Sequence, residues 1–370
     1  MALEEIYAPV RPDLDALERL FQAELSSEDP FVGRLVTHVL ATRGKMLRPA
    51  LACLSAQAAG DGARAAEGVA DRLGVAGAVE LIHVASLIHD DVIDAADLRR
   101  GQASVNAVWG NQVAVLLGDF LFSKAFHILA RLRTAGAAAA MAAATVRMAQ
   151  AEIIQIKHGN TPHTDERIYF RIIDGKTAAL TEAACRCGAL TAGARPEVAG
   201  ALAAFGLEWG MSFQITDDAL DVTATAEHLG KPIGSDIQTG KVTLPIIYAL
   251  RDAPEQDGRR LREILNADGN HASAPGGEAD RGPAAGGGGV PAPSSAGHPA
   301  AAVAGRPPAV RVSALDEVQA ILARTGAVDR ALGVARERAQ RAARALEGLP
   351  PSAARDSLAA LVEFVTVRTR

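Results

Sequence analysis

Residues 85–101 read ASLIHDDVIDAADLRRG, a stretch that joins an apolar helical pattern to a cluster of three aspartates. A second cluster with the same spacing lies downstream in FQITDDALDV. Residues three and four apart fall on one face of an α-helix, so each cluster is predicted to project its carboxylates together. The first aspartate cluster is Asp90, Asp91 and Asp94, and the second aspartate cluster is Asp217, Asp218 and Asp221.

The sequence around the two clusters helps to decide their role. Carboxylates on one helical face repel each other. A single acidic cluster is ordinarily explained as part of a solvent-exposed helix surface. Both clusters, however, follow apolar sequence, with Leu81 and Ile82 before the first, and Phe205 and Trp209 before the second. Mg²⁺ prefers carboxylate oxygens and shares its shell with substrate phosphates. Two such helices facing each other predict a site for Mg²⁺ and a diphosphate.

Composition limits the class of protein. With 370 residues, 49% of them hydrophobic, the chain can bury a large core, and its net charge of -5 gives no general attraction to nucleic acid. The cysteines at 53, 185 and 187 are too few for a disulfide framework or a zinc site. We interpret them as core residues of a cytoplasmic protein. No signal peptide and no membrane-spanning run is recognised, so we expect a soluble protein.

Alanine and leucine dominate the chain and β-branched alternation is scarce, which predicts an all-α fold. Residues 269–311 contain mostly Gly, Ala, Pro and Ser, and are interpreted as a disordered insertion within a single domain spanning residues 1–370. The predicted helices cover residues 13–25, 31–42, about 45–59, 66–97, 113–132, 137–159, 165–192, 197–224, 246–252, 257–267, 314–325, 327–347 and 352–367.

Cations and polar groups accompany both acidic clusters, as a diphosphate site requires. Lys45 and Arg48 are predicted to lie one turn apart at a helix start, where the exposed N–H groups also favour an anion. Arg99 and Arg100 follow the first cluster, and guanidinium groups bind phosphate oxygens in pairs. The other candidates are Lys176 and Thr177 before the second cluster, Gln214 one turn before Asp217, and Lys231 and Lys241 after it. His83 either hydrogen-bonds a phosphate or is an ordinary buried histidine.

The ordered set of motifs resembles the all-trans isoprenyl diphosphate synthases, also called polyprenyl synthetases. The resemblance covers about residues 10–268 and 314–370, and the insertion departs from it. The motifs that carry it are GKMLRP (44–49), LIHVASLIHDDVIDAADLRRG (81–101), FQITDDALD (213–221), LGKPIGSD (229–236) and GKVTLP (240–245).

The resemblance implies a helical bundle around a deep central cavity, usually in a homodimer, with no nucleic-acid partner. It implies that the six aspartates bind Mg²⁺, with three ions expected, bridging an allylic diphosphate. It assigns that diphosphate to Arg99, Lys176, Thr177, Gln214, Lys231 and Lys241. It assigns isopentenyl diphosphate to Lys45, Arg48, His83 and Arg100. The catalytic residues expected on this basis are Asp90, Asp91, Asp94, Arg99, Lys176, Asp217, Asp218 and Lys231.

The predicted reaction is ionisation of the allylic diphosphate, condensation with isopentenyl diphosphate and loss of a proton. The departing diphosphate is the expected base, because no side chain is obviously placed for that role. Each cycle would add one five-carbon unit, and loose membrane association would help to release an apolar product.

Product length should depend on what lies beneath the first cluster. A helix rises ~1.5 Å per residue, so Ser86 and Ala85 lie roughly 6–7.5 Å below Asp90. Short-chain relatives place a bulky aromatic there, or two extra residues inside the motif, and neither occurs here. We therefore expect a chain growing past Ala85 and Ile82 to reach about C30–C50, as a quinone side chain requires. The neighbouring helices on this path contribute Phe126, Leu129 and Met141.

Three alternatives remain at this stage. A geranylgeranyl or farnesyl diphosphate synthase would need a floor formed by other residues. A class I terpene cyclase normally has an Asn/Ser/Glu second motif and needs no Lys45/Arg48 site. A non-catalytic subunit of a heteromeric synthase would tend to lose acidic residues that are intact here.

Overall fold

The computed structural model describes residues 2–41, 44–60, 66–159, 161, 164–223, 241–269 and 308–367. These residues are helical almost throughout, so the all-α prediction is confirmed. The α-helices are α1 (Leu3–Ile6), α2 (Arg11–Glu24), α3 (Pro30–Ala41), α4 (Leu47–Ala58), α5 (Ala66–Ile93), α6 (Val105–Trp109), α7 (Asn111–Ala130), α8 (Ala137–Ile154), α9 (Glu166–Ile173), α10 (Ala179–Thr191), α11 (Pro196–Thr223), α12 (Leu244–Asp252), α13 (Glu255–Gly269), α14 (Pro308–Thr325), α15 (Ala327–Ala345) and α16 (Ala353–Val367).

Shorter elements interrupt or join these helices. A 3₁₀ turn covers Ala8–Val10, and π-helical segments cover Gln155–Gly159 and Asp174–Ala178. Strands β1 (Leu98–Arg99) and β2 (Gln102–Ala103) form an antiparallel hairpin. The second π-helical segment therefore interrupts the α-helical pattern predicted over 165–192, and π-helical turns are frequent at functional sites.

Helix α10 organises the packing around the two aspartate clusters. It packs against α4, α5, α8 and α11, and thus touches both helices that carry a cluster. Small residues allow this close approach. A Cβ atom on Gly188 would collide with the carbonyl oxygen of Ala52 in α4, and one on Gly206 would collide with that of Thr181.

Two hydrophobic clusters meet along α11. Phe205 and Trp209 belong to the larger one, whereas Met211 and Ile215 belong to the smaller one with α9 and α12–α15. Buried side-chain hydrogen bonds fix α11 further. The indole N–H of Trp209 donates to the Leu361 carbonyl at 3.0 Å. These contacts hold the second aspartate cluster on a rigid helix.

Helix α5 ends at the first aspartate cluster, and this end is earlier than the predicted one at residue 97. The helix stops at Ile93, and Ala95 adopts a left-handed conformation with φ of 49°. The amide of Asp94 still donates to the Asp90 carbonyl at 2.8 Å, so Asp94 completes the last turn. The three carboxylates therefore remain on one helix end.

Helices extend into both ends of the segment that was predicted to be a disordered insertion. Helix α13 extends to Gly269 and α14 begins at Pro308, inside the predicted segment 269–311. Residues 270–307 lie outside the described residues.

Candidate active site

Each carboxylate of the first aspartate cluster pairs with one of the predicted cations. The cations come from three separate parts of the chain, which therefore converge on the end of α5. The pairs are Lys176 Nζ–Asp90 Oδ2 at 3.5 Å, Arg99 Nε–Asp91 Oδ1 at 2.9 Å and Lys241 Nζ–Asp94 Oδ2 at 3.3 Å.

Lys176 lies in the π-helical segment and has a second carboxylate partner. Its ammonium nitrogen is 2.5 Å from Glu152 Oε1 of α8. Burial alone would lower the pKa of Lys176, but the carboxylates of Asp90 and Glu152 outweigh it and raise that pKa. Burial raises the pKa of Asp90 to about 6, with Lys176 opposing and Glu152 and Asp94 reinforcing the shift. The site is thus a partly dehydrated cluster of opposite charges.

The second aspartate cluster is linked to the residue that follows Lys176. The Thr177 hydroxyl donates to Gln214 Oε1 at 2.6 Å, and Gln214 Nε2 donates to Asp218 Oδ1 at 2.8 Å. The Tyr169 hydroxyl donates to the other oxygen, Asp218 Oδ2, at 2.6 Å. Asp218 is buried, Asp221 is half-buried and Asp217 is exposed.

Two adjacent residues therefore connect the two clusters. Lys176 contacts Asp90 of the first cluster, while Thr177 reaches Asp218 of the second through Gln214. This juxtaposition follows from the packing of α10 against both α5 and α11. The two links join the cluster-bearing helices through the π-helical segment, while a shared site for Mg²⁺ and diphosphate stays a prediction.

A second group of predicted cations lies beside the start of α4. Arg48 donates from Nη1 to His83 Nε2 at 3.0 Å, and the Arg100 guanidinium packs against Gly44. Lys45 precedes α4 rather than starting it, because Met46 caps the helix in a left-handed conformation. The prediction that Lys45 and Arg48 share one helical turn is therefore wrong, although both remain at the helix start.

His83 acts as an acceptor in this group. An arginine can only donate, so His83 Nε2 must accept and the ring proton must reside on Nδ1. Burial, together with Arg48, Arg100 and Arg99, lowers the pKa of His83 well below its usual value. Burial also lowers the pKa of Arg48 to about 10, which leaves it charged at neutral pH. The Nε of Arg48 is buried without a hydrogen-bond partner among the described residues.

The β1–β2 hairpin explains how Arg99 and Arg100 reach different places. Arg100 and Gly101 both have positive φ, 52° and 78°, as in a two-residue hairpin turn. The turn returns Arg99 to Asp91 and directs Arg100 to Gly44. The sequence predicted a helix up to residue 97, just before these arginines, whereas the helix ends at Ile93 and the hairpin sets their positions.

Three residues of the site were missed at the sequence level. They are Glu152, which pairs with Lys176, Tyr169, which binds Asp218, and Asn106, whose amide donates to the carbonyls of Asp91 and Ala96. Glu152 could have been noticed, because it is the one acidic residue in the apolar helix α8. Nothing in the local pattern marks Tyr169 or Asn106, because their partners are distant in sequence.

The residues expected to control product length are mostly in the core. Ala85 and Ile82 are fully buried, whereas Ser86 is half-buried and its hydroxyl donates to the His83 carbonyl. Leu129 and Met141 are buried in the same hydrophobic cluster, and Phe126 packs against it. Lys231 lies outside the described residues.

A cavity of about 360 Å³ lies beside this site, between α8, α9, α11 and α15. Its lining includes Arg147, Asp174, Gly175 and Arg338, but none of the predicted site residues. The cavity thus borders the π-helical segment at Asp174 and Gly175, the two residues before Lys176.

The donor set fits Mg²⁺ shared with a phosphate ligand. Within the described ranges, no three acidic, histidine or cysteine side chains are close enough to hold a metal ion by themselves. Mg²⁺ typically takes one or two carboxylates, and phosphates and water complete its shell. The six aspartates, which form no closed protein cage, would supply one or two carboxylates to each ion and leave the other positions to phosphate and water.

Among the described residues, two helices are long and apolar enough to cross a membrane, whereas the sequence alone indicated no such run. They are Gly68–Ile93 and Asn111–Ala130. The first is mostly buried, as a core helix of a globular protein would be, and it ends in the first aspartate cluster. In the second, only 39% of the apolar window is buried. Length and composition alone are weak evidence for a membrane span.

A helical fold with two linked acidic clusters and surrounding cations defines a protein that binds diphosphates. The sequence profile of the polyprenyl synthetase family matches residues 29–274. The chain belongs to this family of prenyltransferases.

Full-length similarity supports the assignment. An octaprenyl diphosphate synthase from Haemophilus influenzae is 34% identical over 361 residues, covering 98% of this chain and 95% of the relative. An all-trans-nonaprenyl-diphosphate synthase (geranyl-diphosphate specific) from Rhodobacter capsulatus is 34% identical over 365 residues, covering 99% and 98%. The crystal structure of a polyprenyl synthase from Caulobacter crescentus, complexed with calcium and isoprenyl diphosphate, matches with a TM-score of 0.82 and 27% identity, covering 100% of this chain and 98% of that one.

Proposed function

We propose that the protein condenses isopentenyl diphosphate with an allylic diphosphate to give an all-trans polyprenyl diphosphate of about C30–C50. The proposal rests on two contacts made by adjacent residues. Lys176 forms an ion pair with Asp90, and Thr177 is hydrogen-bonded through Gln214 to Asp218. The proposal is supported by the relatives named for octaprenyl and nonaprenyl products.

The allylic diphosphate is proposed to lie between the aspartate clusters. Members of the family generally use Mg²⁺, and three ions held by the six aspartates would draw electron density from the leaving diphosphate. Lys176, Arg99 and Lys241 already converge on this place, where they pair with carboxylates. When a diphosphate and its cations are bound, these side chains can turn their charge towards phosphate oxygens. We also assign Thr177, Gln214 and Lys231 to this subsite.

Isopentenyl diphosphate is proposed to bind at the start of α4. Arg48, Arg100 and Lys45 would neutralise its phosphates, and neutral His83 can donate its Nδ1 proton to an oxygen. Arg48 is held in place by His83, so one of its donors is already oriented. The two subsites are joined by the hairpin, because Arg99 faces one and Arg100 faces the other.

These residues support an ionisation mechanism. Fixed cations stabilise charge that develops on the departing diphosphate as the allylic C1–O bond breaks. The double bond of isopentenyl diphosphate then attacks C1, and a proton is lost to the departed diphosphate. Asp90 and Lys176 are partly buried, and exclusion of water from this part of the site would protect the cation on the substrate.

The long product is proposed because no bulky aromatic residue stands just before the first aspartate cluster. Position 85 is alanine, which is fully buried in the core cluster that also contains residues of α7 and α8, and no aromatic residue stands at 85 or 86. A growing chain would displace or pass between apolar side chains there. A product of this length suits a quinone side chain.

A homodimer is proposed from an exposed apolar face. Val115 and Leu116 of α7 are 40% and 67% exposed, and Val146 and Ile153 of the adjacent α8 are 56% and 66% exposed. Light scattering of the purified protein tests this, and a monomeric mass would contradict it. The three buried free thiols suit the cytoplasm, where we propose the enzyme acts, associating loosely with membranes for product release.

Product analysis tests the main proposal. The purified protein is incubated with Mg²⁺, labelled isopentenyl diphosphate and allylic primers of several lengths, and the products are sized by reverse-phase chromatography. We expect products of about C30–C50. Products of C15–C20 would indicate a shorter-chain synthase, and no product would refute the enzymatic activity.

A further inference from the structure

Both oxygens of Asp218 are held by protein hydrogen bonds. Oδ2 accepts from the Tyr169 hydroxyl at 2.6 Å and Oδ1 accepts from Gln214 Nε2 at 2.8 Å. We propose that Tyr169 is a positioning residue: its hydroxyl fixes Asp218 and, through Gln214, the Thr177 hydroxyl in the arrangement that binds the Mg²⁺–diphosphate group. This proposal rests on the proposed function.

The Tyr169 hydroxyl has little freedom to move. Its ring is 4% exposed and packs edge-on against Phe170 at 5.6 Å, within the smaller hydrophobic cluster that also contains Ile215 of α11. Asp218 is 6% exposed. A hydrogen bond to an ionised carboxylate in such a dry setting is short and strong. The carboxylate is therefore oriented from the core side.

The orientation of Gln214 follows from its two partners. An ionised carboxylate only accepts, so the amide nitrogen must face Asp218 and the amide oxygen must face Thr177. Thr177 in turn donates to that oxygen at 2.6 Å. If Asp218 rotated, Gln214 would lose the partner that fixes it, and Thr177 would lose its acceptor. Three hydrogen bonds thus link Tyr169 to Thr177, the residue next to Lys176.

Hydrogen bonding of this kind is compatible with metal binding, because a carboxylate has about four lone-pair sites and each of these bonds needs one. Groups that orient metal-binding carboxylates typically change metal affinity or activity by about 10–100-fold when removed. The expected effect of losing the Tyr169 hydroxyl is therefore on Mg²⁺ and diphosphate binding.

Tyr169→Phe tests the proposal against a matched control, Tyr248→Phe. Tyr248 is also buried in the smaller cluster and also donates to a carboxylate, but that carboxylate, Glu166 Oε1 at 2.9 Å, belongs to neither aspartate cluster. Binding is measured by calorimetry, in which MgCl₂ and inorganic diphosphate are titrated together into each protein. Prenyltransferase activity is measured as a function of Mg²⁺ concentration. We expect about tenfold weaker binding in Tyr169→Phe, wild-type binding in Tyr248→Phe, and similar thermal midpoints for both without metal.

A double-mutant comparison separates positioning from packing. In an Asp218→Asn background, Tyr169→Phe should cause no further loss of Mg²⁺–diphosphate binding, because its partner charge is already gone. Should Tyr169→Phe not fold, Gln214→Met removes the other hydrogen bond and should weaken binding to a similar degree. Wild-type binding in Tyr169→Phe, or independent losses in the double variant, would overturn the inference. If the proposed function were wrong, the wild-type protein itself would neither bind Mg²⁺–diphosphate nor transfer prenyl groups.

Discussion

Lys176 Nζ lies 3.5 Å from Asp90 Oδ2, across the interface between the π-helical segment and α5. Thr177, the next residue, is hydrogen-bonded towards the other aspartate cluster. The segment Asp174–Ala178 therefore acts as the structural connection between the two acidic clusters. A π-helical turn at this place directs consecutive side chains to two parts of one site.

Lys176→Gln should lower kcat by about a hundredfold or more, because one fixed cation facing the leaving diphosphate is removed. Steady-state kinetics with saturating Mg²⁺ measure the effect. Lys157→Gln is the control, since Lys157 is an exposed lysine in the neighbouring π-helical segment. Equal kinetics for the two variants would show that Lys176 has no special place in the reaction.

Mg²⁺ dependence should change with pH. Burial raises the pKa of Asp90 to about 6, and a protonated carboxyl cannot bind a cation, so apparent Mg²⁺ affinity should fall as pH drops through that value. Glu152 contributes to the raised pKa. Glu152→Gln should therefore move the transition to lower pH, as measured by Mg²⁺ titrations of activity at a series of pH values. A transition at an unchanged or higher pH would argue against this electrostatic description.

Ala85→Phe should shorten the product. Ala85 is fully buried below the first aspartate cluster, and a phenyl ring there would block a chain that grows along α5. Reverse-phase chromatography of the labelled products gives the length distribution, and Ala85→Val is the conservative control. A distribution identical to wild type would place the growing chain elsewhere.

Gly188→Ala should destabilise the fold by about 1–3 kcal/mol, as overpacking typically does. The new Cβ would meet the Ala52 carbonyl at the contact between α10 and α4. Gly333→Ala, in α15, meets no atom within 4 Å and should stabilise by roughly 0.5–1 kcal/mol. Urea denaturation of both variants measures the difference, and equal stabilities would contradict the proposed close approach of α4 and α10.

The sequence predicted the acidic helix faces because their spacing is local and lies in strongly apolar helices. It also indicated the cations, since Lys176, Arg99 and Lys241 do converge on the first cluster. It failed where geometry depends on backbone conformation: Ala95 ends α5, Met46 displaces Lys45 from α4, and Arg100 turns a hairpin, all with positive φ. None of these three is a glycine; only the hairpin has one beside it, Gly101, so no residue type indicated the turns at Met46 and Ala95.

Partners that are distant in sequence were also unpredictable. Tyr169 and Asp218 lie on α9 and α11, and Glu152 reaches Lys176 from α8. Their contacts depend on how the segment Asp174–Ala178 packs against α8, α9 and α11, which no local period encodes. The sequence therefore predicted the residue types of the site, whereas the structure supplied the hydrogen bonds that orient them.

Crystals grown with Mn²⁺ and inorganic diphosphate would test the central claim most directly, because Mn²⁺ has an anomalous signal and binds the same oxygen ligands as Mg²⁺. We predict anomalous peaks within about 2.0–2.3 Å of carboxylate oxygens from both aspartate clusters, with the diphosphate between them and Lys176 turned towards it. Metal bound to only one cluster, or at a site remote from Asp90 and Asp217, would contradict the account.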